Sequence, residues 1–499
     1  MAFYQNLGPN ANIKSLLFLM AGGGKNIVLL VADDLGRNVG CYGEKAVSTP
    51  NLDELARNGT LFDMAFASTA SCSGSRSVIY TGRHTHETGQ YGLHHDVHHF
   101  TTYDDIETAP GLFNSVGYLT GIVGKVHVGP RSVYPWTFFA ETGSRDVKGY
   151  AEKCEEFLEL AKQEKRPFFL TVGFMDPHRD GTRGGFANNQ KYRDVSEPDV
   201  KPEDVEIPYY LNDIPEVRAE LVQYYKAINR MDQGVGMILK HLEEYGVLDD
   251  TLIVFLSDNG APFINSKTTL YDAGIRLPLI VRSPNHSKGV VSSNLVSYID
   301  ILPTLLDWAG HAELKGERLG TSILSILSIN GEEPQWQNHV FGSHTFHEVT
   351  NYFPTRVLRT KRYKYHRNVA WKLDFPFATD LYGSVSWEGL RNCSPPVIGG
   401  RRLEDYVRRQ PEELYDLEND PQEITNLAND PQYKALLLDL RQRLEEWQLK
   451  TKDRWLFRDG VSVVTVKQSF KEKMLIPDRF DFDSNAPGTT GGNVYQING

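Results

Sequence analysis

Three apolar runs in this chain end in residues that hold metals or move protons. Asn26–Ala32 (N-I-V-L-L-V-A) stops at Asp33-Asp34, residues 168–174 lead to Asp176-Pro177-His178, and Thr251–Ser257 stops at Asp258-Asn259-Gly260. One aspartate after a strand is commonly a turn former or helix cap; three such ends in one sheet point to a site. Asp33, Asp34, Asp258 and the amide oxygen of Asn259 make an all-oxygen donor set, suited to a hard cation such as Ca²⁺ and less so to Mg²⁺. Cys72-Ser73-Gly74-Ser75-Arg76 forms a small-residue loop, and Val78, Ile79 and Tyr80 precede Thr81-Gly82, so a short helix is expected just after the cysteine. A helix N-terminus favours anions and lowers a thiol pKa. An inert buried thiol is the alternative.

The elements that must position these groups follow from periodicity. Asn26–Ala32 reads as a parallel strand buried on both faces. Thr49-Pro50, then Leu52, Leu55 and Ala56 at helical spacing, then Gly59, mark a helix. Strand-like 119–123, helical 150–165, strand-like 168–174, helical 215–245 and strand-like Thr251–Ser257 continue the alternation. The fold class expected is therefore α/β, a large, mainly parallel sheet sandwiched by helices, with ligands beyond the carboxyl ends of its strands. Near Val349 the texture changes, and 356–366 alternates apolar and basic residues like a half-exposed antiparallel strand. Four divisions are expected: an N-terminal segment 1–25, a catalytic domain 26–348, a smaller α+β domain with an antiparallel sheet 349–483, and a flexible tail 484–499. Leu436, Leu437, Leu440, Leu444 and Trp447 form one helical stripe of core packing in the smaller domain.

Bulk properties narrow the function. With 499 residues, the chain exceeds what one hydrophobic core serves. A formal charge of −11 argues against nucleic-acid binding and means that any anionic substrate needs a local basic pocket. Cys41, Cys72, Cys154 and Cys393 are too sparse for a disulfide framework or a zinc cluster. The early apolar run 16–20 is too short to span a membrane and makes a poor signal core, though small residues follow it. Acceptor tripeptides at Asn58, Asn285 and Asn392 lean towards secretion.

Cys-Ser-Gly-Ser-Arg at 72–76 with Thr81-Gly82 resembles the signature of the sulfatase family, in which the cysteine is converted to formylglycine. Asp33-Asp34 and Ser257-Asp258-Asn259-Gly260 resemble that family's calcium motifs. Gly124-Lys125-Val126-His127, Lys267 with Gly274-Ile275-Arg276-Leu277-Pro278, and Glu413-Leu414-Tyr415-Asp416-Leu417 follow in the family's order. Within the family, residues 91–100, 127–135, 229–236 and 347–350 are similar to the sulfamidases, which remove N-sulfo groups from glucosamine. Two positions depart from the patterns. Gly74 stands where the signature has proline, and Lys267 stands near where sulfamidases carry arginine.

The resemblance implies an alkaline-phosphatase-like fold and a hydrolase of sulfamates or sulfate esters on heparan-type glycans. Cys72, once oxidised by a formylglycine-generating enzyme, is the nucleophile. Asp33, Asp34, Asp258 and Asn259, with residue 72, hold one Ca²⁺. Arg76, Lys125 and Lys267 neutralise charge at the sulfonate. His178 is the acid that protonates the departing nitrogen or oxygen, and His127 is the base that returns residue 72 to its starting state. Asp176, Glu348 and His95 are candidates for binding sugar groups. A homodimer that is lysosomal or secreted, with no membrane span and no nucleic-acid partner, completes the expectation. Three alternatives stay open: a carbohydrate O-sulfatase, a two-metal phosphoesterase of the same superfamily, and an inactive glycan-binding relative with unmodified Cys72.

Overall fold

The computed structural model describes residues 25–456. The expected N-terminal segment up to residue 24 and the tail 484–499 lie outside them, and the smaller domain is described to residue 456.

The central strand β1 (Asn26–Ala32) is fully buried. Its alternate residues feed two cores: Val28, Leu30 and Ala32 face one, Ile27, Leu29 and Val31 the other. A strand covered on both faces must be apolar throughout, which is why this run reads continuously. Around β1 an eight-stranded sheet forms from β2 (Thr60–Phe62), β3 (Leu119–Gly124), β4 (Phe138–Glu141), β5 (Phe168–Gly173), β6 (Thr251–Ser257), β7 (Leu279–Arg282) and β8 (Val290–Ser292). The order is β4-β3-β5-β1-β6-β7-β2-β8. All pairings are parallel except those of β7, which runs against β6 and β2.

Helices α1 (Pro50–Arg57), α3 (Val147–Glu164) and α4 (Pro215–Glu244) cover one face, while α2 (Cys72–Thr81) and α5 (Ile301–Trp308) cover the other. Each fully buried Leu or Val in these layers contributes roughly 1.5–3 kcal/mol of transfer free energy. Among the described residues no helix is long and apolar enough to cross a membrane.

The smaller sheet is antiparallel, with β9 (His339–His344), β10 (Thr355–Thr360), β11 (Tyr363–Asn368) and β12 (Glu412–Asp416) in that order. A one-turn helix, α6 (Thr379–Tyr382), lies between β11 and β12 in the chain, and α7 (Lys434–Lys450) packs Leu437, Leu440, Leu444 and Trp447 against Leu358, Tyr365 and Leu414. Two expectations need correction. The sheet starts at His339, ahead of Val349; H-V-F-G-S-H carries no recognisable strand pattern, so its strand escaped the sequence reading. Residues 356–366 form not one half-exposed strand but a hairpin covered on both faces. Arg356 pairs with Asp453, and Arg359 and Lys364 reach Asp272 in the larger domain, so the basic residues are buried by counter-ions rather than hydrated.

Candidate active site

Backbone hydrogen bonds lace the strand ends together: Asp33 N–H donates to Asp176 O and Asp258 N–H to Ala32 O, each at 3.1 Å. Asp34 takes a left-handed backbone conformation (φ 62°) just past the end of β1. Helix α2 begins at Cys72 itself, with Ser71 as its N-cap residue. Two glycines let the basic groups come close. A Cβ on Gly173 would lie 2.2 Å from Lys125 O and 2.8 Å from Arg76 Nη1, and Gly124 (φ 86°) leaves no room beside Gly173 O.

The acidic oxygens of Asp33, Asp34 and Asp258 and the Cys72 sulfur lie within 4.8 Å of one another, all buried. Asn259 Nδ2 donates to Asp34 Oδ1 at 2.7 Å. Around them stand three buried cations. Arg76 Nε donates to Asp258 Oδ2 at 2.9 Å, Lys125 Nζ to Asp33, and Lys267 Nζ to Asp34 Oδ2 at 2.8 Å. Three atoms here, Asp33 Oδ1, Arg76 Nη2 and Asn259 Oδ1, are buried with no hydrogen-bond partner. Unpartnered buried polar atoms are costly and call for a ligand.

The electrostatics follow. Burial works to raise Asp33, but Lys125, His178, Arg76 and Lys267 together hold it well below the usual carboxylate range. Burial and then the Asp33 charge push Asp258 up to about 7, against the pull of Arg76. Burial and Asp33 likewise push the Cys72 thiol well above its ordinary value. Burial and the Asp33 charge thus act on the thiol against the helix start, which by itself favours the thiolate.

A cavity of about 730 Å³ opens above this cluster, lined by Cys72, Lys125, His127, His178 and Lys267, and by His95, His347, Glu348 and Asp380. His178 Nδ1 donates to Arg179 O at 2.6 Å, so its Nε2 turns inward, 3.2 Å from Lys267 Nζ and 3.6 Å from Asp34 Oδ2. Burial, followed by Lys267, lowers the His178 pKa; burial, followed by Lys125, puts His127 well below an ordinary histidine. Glu348 accepts from Thr379 N–H at 3.0 Å and Thr379 Oγ1 at 2.8 Å. Asp176 does not reach the cavity. It is buried under Arg145 and Arg230, whose nitrogens lie 2.6 and 2.7 Å from its oxygens, so its strand-end position misled as to where its side chain goes. Of the neighbouring histidines, His98 lines the cavity while accepting from Val349 N–H at 3.1 Å, and His94 packs against Gly129.

Among the cavity residues to which sequence reasoning assigned no role are Asp380 and His347. Asp380 accepts from Lys267 Nζ at 2.8 Å and lies 3.9 Å from His178 Nε2. His347 Nδ1 lies 2.9 Å from Ser71 Oγ, at the cap of the Cys72 helix. No local pattern marks Asp380; His347 was visible only as the neighbour of Glu348.

The chain that carries this acidic cluster, at the strand ends of a mainly parallel sheet and beside a helix-initiating cysteine, is similar to known proteins. The chain belongs to the sulfatase family, whose sequence model matches residues 25–311, and it is a hydrolase of that family. A second model, described as N-sulphoglucosamine sulphohydrolase, C-terminal, matches residues 263–374. The chain is 40% identical to human N-sulphoglucosamine sulphohydrolase over 467 residues, covering 88% of this chain and 92% of that one. It is 30% identical to an ulvan-active sulfatase of Formosa agariphila, covering 91% of this chain and 86% of that one. The fold is shared with a solved protein in complex with its substrate D-glucosamine-2-N,6-O-disulfate, at TM-score 0.63 and 21% identity, covering 86% of this chain and 98% of the other.

Proposed function

We propose that this chain hydrolyses the S–N bond of N-sulfated glucosamine at the end of a heparan-type glycan, with Cys72 oxidised to formylglycine and one Ca²⁺ in the acidic cluster. The observation that carries the reading is the 40% identity to human N-sulphoglucosamine sulphohydrolase, which runs through both sheets. The residues fit a divalent cation. Asp33 Oδ1 and Asn259 Oδ1 await a ligand, and the raised Asp258 is what a buried carboxylate cluster short of positive charge produces. When present, the ion withdraws charge from the sulfonate oxygens and the hydrated aldehyde supplies the nucleophilic hydroxyl.

The chain's own side chains do the rest. Arg76 and Lys125 brace the carboxylates and offer charge to the sulfonate, and Lys267 does so from beside Asp34. His178, anchored through Nδ1, holds Nε2 ready to protonate the departing nitrogen. Its lowered pKa means that this proton is held only at acid pH, so turnover rises as pH falls from neutral. His127, kept neutral by burial and Lys125, acts as the base for the second half of the cycle. Glu348 faces the sugar at the cavity wall.

The test has two parts. The peptide containing residue 72 should be lighter than the cysteine form by about 18 Da, a difference that follows from the formulae rather than from ordinary thiol oxidation. For protein so modified, kcat/KM should be higher on N-sulfo than on 6-O-sulfo glucosamine; the reverse order would reassign the chain to carbohydrate O-sulfatases. Chelation should abolish turnover and lower the unfolding temperature, and saturating Ca²⁺ at about 100 times its Kd should restore roughly 2.7 kcal/mol.

A further inference from the structure

We propose that His95 is a positioning residue for His127: its Nδ1 accepts the hydrogen bond donated by His127 Nε2–H and so fixes the tautomer that leaves His127 Nδ1 as the basic atom. The inference rests on the reading of His127 as a base and extends it, since no catalytic assignment above gives His95 a part in proton transfer.

The two ring nitrogens lie 2.6 Å apart, and at that distance one must carry the shared proton. The neighbours decide which. Asp96 Oδ2 lies 3.8 Å from His95 Nε2, and a carboxylate there favours the proton on that nitrogen. His95 Nδ1 is then an acceptor, and His127 Nε2 the donor. His127 Nδ1, on the other edge of the ring, is buried with no hydrogen-bond partner. A bare imidazole nitrogen, on a residue that lines the cavity, is what a resting base requires.

Both rings are held in place. His127 takes a left-handed backbone conformation (φ 59°), which non-glycine residues rarely adopt and which recurs at functional sites. The His95 ring lies 4.6 Å from that of His127 and 5.4 Å from that of His98, edge-on to the latter. His98 is itself tied to the smaller domain through Val349 N–H. His95 stands at the solvent side of this row, with 44% of its side chain exposed.

The proton traffic balances simply. In the proposed cycle His127 Nδ1 takes the proton of the free hydroxyl on sulfated residue 72, the C–O bond to the sulfate breaks, sulfate leaves and the aldehyde C=O re-forms. His127 is then an imidazolium, whose Nε2–H bond to neutral His95 strengthens as charge develops. Loss of one proton to solvent through the cavity restores the starting tautomers. Without His95 the neutral ring can place its hydrogen on Nδ1, where it blocks the base.

Histidine-selective ¹⁵N labelling of the full chain tests this directly, because protonated and bare ring nitrogens have well-separated shifts; the His127→Ala protein assigns the signals. The expected result is Nε2 protonated and Nδ1 bare at His127 near neutral pH. In His95→Ala, an exposed and structurally mild change, the tautomers should mix, and kcat should fall at least about tenfold with KM nearly unchanged. His95→Gln, whose side-chain oxygen can accept the same bond, should restore both. A His127 proton on Nδ1 in the unsubstituted protein, or a tautomer indifferent to His95→Ala, overturns the proposal. A tautomer that shifts as expected while turnover stays normal supports the positioning and removes His127 from the base role.

Discussion

Two arginines, Arg76 and Arg356, are among the largest completely buried side chains, and they differ in how they are finished. Arg356 has every nitrogen engaged. Nε and Nη2 donate to Asp453 at 2.6 and 2.9 Å, and Nη1 reaches His344 O and Thr355 O at 3.0 Å. Arg76 has only Nε and Nη1 engaged, while Nη2 faces Asp33 Oδ1 at 3.8 Å without a hydrogen bond at either atom. A buried charge that is fully satisfied locks structure together; one left incomplete keeps capacity for a ligand. Burial and pairing alone do not separate these two arginines, but the unsatisfied donor of Arg76 does.

The largest expected effect on stability tests the closed side of that contrast. Arg356→Met should cost about 3–5 kcal/mol in denaturant unfolding, because it strands Asp453 as an uncompensated buried charge. The molecules that remain folded should keep kcat/KM within about twofold. Next comes the open side. Arg76→Lys keeps the charge but loses the fork, so kcat/KM should drop about 10²–10³-fold with Ca²⁺ present, while circular dichroism stays unchanged. If Arg76→Lys unfolds the chain or leaves turnover intact, the contrast fails.

A third effect concerns His86, beside the Arg356 cluster, with its ring nitrogens 3.0 Å from Ser343 Oγ and 2.8 Å from Thr451 Oγ1. Burial pushes its pKa down to about 4, with Asp453 opposing the shift and Arg356 adding to it. Below its ordinary value of about 6.5 the unfolded chain takes up a proton that the folded chain refuses. Stability should therefore fall as pH drops from about 6.5 to about 4, by on the order of 3 kcal/mol. His86→Gln should flatten that slope in denaturation midpoints measured across the window. Asp453, held well below the carboxylate range, adds a separate loss only at lower pH. The smallest effect is Gly74→Pro. A Cβ there would sit 3.1 Å from Thr69 Cγ2 and 3.2 Å from Thr85 Cγ2, in a first helical turn whose N–H groups need no intrahelical acceptor. Stability should change by less than about 1 kcal/mol, and peptide mass should show a larger formylglycine fraction.

Much of this was legible in the sequence because parallel strands buried on two faces must be apolar from end to end. Asn26–Ala32 and Thr251–Ser257 were therefore visible with their boundaries, and with them the placement of Asp33, Asp34, Asp258 and Asn259. Residue type did not disclose side-chain direction. Asp176 ends a strand as the others do, yet Arg145 and Arg230, distant in sequence, draw it out of the cavity. Alternating basic residues in 356–366 suggested water on one face; only the larger domain reveals Asp272 waiting there. Asp380 carries no local signature because its significance arises from tertiary packing against Lys267.

That packing bears on how freely the two halves of the chain could vary apart. Lys267, wholly buried, is shared between Asp34 from the large sheet and Asp380 from the excursion between β11 and β12. A chain cut short before the smaller sheet would leave the lysine with a single counter-ion and one wall of the cavity missing, so the two sheets form one heritable unit: neither could be exchanged with a relative's without bringing its half of the clasp.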